Sequence, residues 1–106
     1  MIRVKSPGGE GIVLDFAPGH VLVSIRGWQI WYPADKCHIS YRDWKIVVNF
    51  RGCLGIVCPQ NKRTFWTIVP HTPKQCQDFI DRYCTNTSLV EPYTEATTAQ
   101  LHEKIS

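Results

Sequence analysis

Over the first two-thirds of the chain, apolar and polar residues alternate with a period of two in short runs. Such alternation is the mark of half-buried β-strands, whose side chains point to opposite faces in turn. Turn signals at Pro7-Gly8-Gly9, Pro18-Gly19, Arg26-Gly27, Arg51-Gly52 and Pro59-Gln60-Asn61 separate the runs at short, regular intervals. The pattern predicts seven strands: Ile2–Lys5, Gly11–Phe16, His20–Ile25, Trp28–Tyr32, Asp43–Phe50, Cys53–Cys58 and Thr64–Val69. β-branched and aromatic residues fill them. Ile12, Leu14 and Phe16 are expected on one face, with Val13 and Asp15 on the other. Val21, Val23 and Ile25 oppose Leu22 and Ser24. Trp44, Ile46, Val48 and Phe50 oppose Lys45, Val47 and Asn49.

The period then changes. Cys76, Phe79, Ile80, Tyr83 and Cys84 recur at helical spacing, with Gln77, Asp78, Asp81 and Arg82 away from the stripe. Thr72 suits the N-cap, Pro73 the first helical position, and Gln75 completes a capping box. The helix over 72–84 is expected to pack on the sheet through Phe79, Ile80 and Tyr83. From Thr85 onward Thr, Ser, Glu and Asn dominate, which reads as an acidic polar tail over 85–106. Glu95–Ile105 has few apolar anchors for a further short helix, and Asn86-Thr87-Ser88 matches a glycosylation sequon.

At 106 residues the chain suffices for one domain, expected over 1–84. No apolar run follows Arg3 and Lys5 as in an export signal, and none approaches the roughly 18–20 residues of a membrane span. A soluble, cytoplasmic protein is therefore expected. The formal charge of +3 conceals an asymmetry: residues 1–84 carry net +5 and residues 85–106 net −2. Lys36, Arg42, Lys45, Arg51, Lys62 and Arg63 face a single acid, Asp43, between Lys36 and Trp66. Such a stretch can be a nucleic-acid footprint or an ordinary solvated face. Should Arg42, Lys45 and Arg63 converge, their potentials would add and steer an acidic partner.

Catalysis finds little support. The histidines are scattered at 20, 38, 71 and 102, and no metalloprotease, nucleophile-elbow or phosphate-loop motif appears. Pairing of His71 with Cys37, Cys53, Cys58 or Cys76 is the one nucleophilic arrangement left formally open. The five cysteines include no C-x-x-C pair, so buried, reduced thiols are expected over a metal site. No cofactor, metal or enzyme activity is expected. Aromatic residues are more informative: Trp28, Trp31, Tyr32, Tyr41, Trp44, Phe50, Phe65 and Trp66 fall in less than half the chain. Rings of this kind fill cores or stack on ligands, and Trp31, Trp44 and Trp66 are the candidates for contact.

Residues 1–40 also carry a family pattern. Ile2-Arg3-Val4-Lys5-Ser6-Pro7-Gly8-Gly9-Glu10-Gly11-Ile12-Val13, the strand Val21–Ile25, and Trp28-Gln29-Ile30-Trp31-Tyr32-Pro33-Ala34-Asp35-Lys36-Cys37 resemble SH3-like barrel modules of the KOW and Tudor type. The resemblance implies a barrel that binds RNA, DNA or protein segments without activity of its own. Residues 41–70 would add a hairpin extension and 72–84 a helix. Seven strands followed by one helix also resemble pleckstrin-homology-like domains. The expected fold is thus α+β and mostly β, a small SH3-like barrel with a C-terminal amphipathic helix. The expected function is non-catalytic binding of nucleic acid or a nucleoprotein through the basic face. The alternative is a protein-binding adaptor or inhibitor that docks on a larger partner by an aromatic patch or sheet edge.

Overall fold

The computed structural model describes residues 1–85. The expected tail, Thr85 apart, lies outside them, as do the segment Glu95–Ile105 and the sequon at Asn86. Eight strands precede one helix. They are β1 (Arg3–Ser6), β2 (Gly9–Ala17), β3 (His20–Ile25), β4 (Trp28–Pro33), β5 (His38–Tyr41), β6 (Trp44–Val48), β7 (Leu54–Val57) and β8 (Thr64–Trp66). A 3-10 turn at Ala34–Lys36 joins β4 to β5, and α1 (Pro73–Thr85) follows. All strands pair antiparallel in the order β4-β3-β2-β1-β5-β6-β7-β8. Two meanders are therefore joined edge to edge at β1 and β5. The mostly-β fold with one helix is as expected, but the sheet is unclosed, with β4 and β8 as its edges.

The eighth strand is β5, which the alternation did not announce. His38–Tyr41 contains a single strongly apolar residue, Ile39, and its pairing partner β1 lies far away in sequence. In β2 the register shifts between Val13 and Asp15, so a bulge at Leu14 flips the phase. Val13 and Phe16 consequently turn inward and Asp15 outward, correcting the simple alternation expected there. Two further strands end early. Asn49 leaves the ladder to accept the N–H groups of Arg51 and Cys53 on its side-chain oxygen, each at 2.9 Å. Phe50 thereby sits in a turn, 81% exposed, instead of extending the row of Trp44, Ile46 and Val48. After Trp66 the chain likewise leaves the sheet, with Ile68 and Val69 exposed.

One face of the sheet is apolar throughout. Val4, Ile39, Ile46, Ile56 and Phe65 stand opposite one another across five strands, all buried. Val13, Val21 and Val23 continue that core into the first meander. The helix covers the second meander, and its capping box forms as expected. Thr72 N donates to Gln75 Oε1 at 2.9 Å, and Gln75 N donates to Thr72 Oγ1 at 3.2 Å. Cys76, Ile80 and Tyr83 are buried and Phe79 packs against the core, whereas Cys84 is exposed. Trp44 is the hub: its ring meets Tyr83 edge-on at 5.0 Å and Phe79 at 6.1 Å, with Phe65 beside it at 6.4 Å.

Candidate binding surfaces

The outer face of the sheet carries the charge. Gln29, Ser24, Ile12, Arg3, Ser40, Lys45, Val57 and Thr64 form one row across it. Lys5 flanks that row, paired with Glu10 on one side and His38 on the other. An open groove of about 740 Å³ runs between these side chains, lined by Arg3, Lys5, His38 and Lys45 but also by Glu10 and Asp43. Lys5 Nζ lies 4.0 Å from Glu10 Oε2, so part of the basic charge is neutralised locally.

The six basic residues expected to form a binding face are dispersed. Only Lys45 lines the groove. Arg42, in the two-residue turn before β6, reaches to α1 instead: its Nη1 and the Tyr41 hydroxyl both donate to Asp81 Oδ1 at 2.9 Å. That shared carboxylate holds the Arg42 guanidinium and the Tyr41 hydroxyl above their ordinary pKa values. Arg63 lies over the ring of Phe65, 5.4 Å from its centroid, and Phe65 belongs to the inner face. Arg42 and Arg63 thus lean toward the helix side while Lys45 points the opposite way. Lys62 is exposed in the β7–β8 loop, Arg51 in the β6–β7 turn, and Lys36 in the 3-10 turn after β4. Arg3, Lys5 and His38 were missed because the β1–β5 pairing that brings them beside Lys45 is non-local. The only local sign was the outward alternation of Arg3 and Lys5 around Val4.

The aromatic candidates separate equally clearly. Trp44 is 2% exposed and is corrected from a contact residue to a core residue. Trp66 stands opposite Gly55 on the outer face, where its ring covers the bare glycine backbone beside Val47. Trp31 is 46% exposed on the outer face of β4. Trp28, at 73%, is more exposed still, and Ile30 beside it reaches 38%. Both lie on the core-side face of β4, which extends past the reach of the core. This patch was half legible: two tryptophans on opposite faces of one short strand oblige at least one to point outward.

Among the described residues the backbone of β4 is paired on one side alone. Arg26 and Gly27 both have positive φ, so the β3–β4 turn is the two-residue type that makes Ile25 and Trp28 a hydrogen-bonded pair. By alternation Trp28, Ile30 and Tyr32 bond to β3, and Gln29 and Trp31 direct their N–H and C=O groups away from the sheet. Residues 28–33 contain no charge. The opposite edge differs: β8 spans only three residues and is preceded by Lys62 and Arg63. Short length and charge beside the strand blunt an edge against pairing. β4 is twice as long as β8 and uncharged within, and its protection is confined to its ends, Arg26 in the preceding turn and Pro33 as its last residue.

Among the described residues no hydrogen bond joins a thiol to an imidazole. His71 Nδ1 lies 3.1 Å from the Val69 carbonyl and His20 Nδ1 3.0 Å from that of Pro18. Cys37, Cys53 and Cys58 donate to the Pro33 carbonyl, the Ile68 carbonyl and Gln60 Oε1. Burial pushes Cys76 up to about 12, which keeps it a neutral thiol at ordinary pH. Among the described residues no group of three or more His, Cys, Asp or Glu could hold a metal ion. No helix among them is long and apolar enough to cross a membrane. Comparison with protein-family models, with curated proteins and with solved structures finds no match to this chain.

Proposed function

We propose that this chain is a non-catalytic binding module that takes up an extended protein segment along the edge of β4. One observation carries the reading: β4 is an uncharged edge strand with exposed Trp28, Ile30 and Trp31 and outward main-chain groups at Gln29 and Trp31. Strand addition uses those two elements together, main-chain bonds for affinity and side-chain contacts for specificity. Tryptophan is the residue most enriched among energetic anchors of interfaces. The SH3-like pattern of residues 1–40 supports the same reading, since such modules bind and do not catalyse.

A second reading, contact with nucleic acid, rests on Arg3, Lys5 and Lys45 sharing the outer groove. Glu10 and Asp43 in that groove weaken it. A photo-crosslinking residue placed at Trp31 or at Lys45, with and without nuclease, separates the two in the native host. Protein adducts are expected from position 31 and to survive nuclease. Adducts confined to position 45 and removed by nuclease would reverse the order of the two readings. For nucleic acid, binding would also weaken steeply with added salt, because phosphate contacts release counterions.

A further inference from the structure

We infer that the segment taken up by β4 is β4 of a second copy of this chain, so that two sheets join antiparallel across a two-fold axis. The inference rests on the reading of β4 as a binding edge. A two-fold centred on Ile30 sets Gln29 opposite Trp31 of the other copy, and Trp31 opposite its Gln29. Those are the residues whose main-chain groups point outward, so each such pair exchanges both N–H···O bonds. The ladder ends before Pro33, which has no N–H to give. Other registers must use Pro33 or the turn residue Gly27 and leave outward groups unpaired.

The side chains agree with this register. On the core-side face Ile30 meets Ile30 of the other copy at the axis, and Trp28 meets its Tyr32. On the outer face Trp31 lies beside Gln29. Like charges placed opposite one another would oppose pairing, and residues 28–33 have none. The three exposed apolar side chains present on the order of 350 Å² per copy, from full burials of roughly 150–250 Å² for an aromatic ring. A stable interface buries about 800 Å² per partner, so this one belongs to the weak, concentration-dependent class.

Sedimentation of the full chain from about 1 µM to about 1 mM is the test, with amide exchange followed at Gln29 and Trp31. The expected result is a reversible dimer in which those two amides slow as concentration rises. Ile30→Lys, which sets like charges at the axis, should raise the dissociation constant by more than about tenfold. Gln29→Pro removes an outward N–H that β3 does not use and should act in the same direction with the circular dichroism unchanged. If Ile30→Lys fails to fold, Gln29→Pro still decides. A chain that is monomeric throughout overturns the inference, as does a dimer indifferent to both substitutions. Protection of the two amides in the dilute monomer would also overturn it, and would assign the edge to residues 86–106 of the same chain. A monomer that still crosslinks another protein from position 31 refutes self-pairing alone and leaves the edge reading intact. A monomer without such adducts refutes both.

Discussion

Two glycines show how close packing at single residues shapes the sheet. A Cβ on Gly11 would collide with the main-chain oxygen of Ser24 and press on Val23 and Ile25, each at 3.0 Å. The missing side chain lets β2 approach β3 where the sheet coils over the core. A Cβ on Gly55 would meet the Trp66 ring at 2.9 Å and Val47 Cγ2 at 2.8 Å, which are side-chain atoms able to move. Overpacking typically costs about 1–3 kcal/mol, and an immovable carbonyl places Gly11→Ala at the upper end and Gly55→Ala at the lower. Urea unfolding of the two variants checks the order; equal losses would mean that the Ser24 backbone yields as readily as an indole. In the sequence, Gly8-Gly9-Glu10-Gly11 reads as a turn alone. The constraint on Gly11 comes from β3, which no local pattern reports.

At the scale of elements, α1 and β4 are opposites. The helix is specified locally: the capping box forms between residues three apart, and a stripe at helical spacing supplies the buried side chains. Thr72→Ala should lower stability by about 1 kcal/mol through the lost cap. Ile80→Ala, which empties a fully buried site, should cost about 2–5 kcal/mol. Denaturant midpoints of both variants test this, and a cap loss as large as the core loss would contradict the packing described. Of the expected stripe only Cys84 is exposed. In β4 the alternation of Trp28, Ile30 and Tyr32 against Gln29, Trp31 and Pro33 was legible. Its position at an edge was not, because strand order follows from which strands pair, and β1 chose β5.

For the whole molecule, the buried thiol makes stability depend on alkaline pH. Cys76 is held at about 12 in the folded chain by burial, against 9.0 ordinarily. Above pH 9 the unfolded chain releases this proton and the folded chain does not, so unfolding is favoured as pH rises toward 12. The contribution is full below pH 9 and is then lost at up to about 1.4 kcal/mol per pH unit. Tyr41, raised by its hydrogen bond to Asp81, and Cys37, raised by burial and Asp35, act in the same direction. Urea midpoints between pH 7.5 and pH 10.5 (about the range before base damage) should fall on the alkaline side. Cys76→Ala should start lower and fall less steeply; an unchanged slope would show that another group governs the alkaline limb. What the sequence determined by itself was the set of short strands, the turns between them and the capped helix, because each depends on residues within a few positions. What only the tertiary structure decided was the β1–β5 junction and everything built on it. That non-local pairing set Arg3 and Lys5 beside Lys45 and left β4 at an edge of the described sheet, while the docking of α1 buried Trp44 and drew Arg42 to Asp81. Contacts between distant segments are chosen by the packing of the whole core, and they leave no period in the chain.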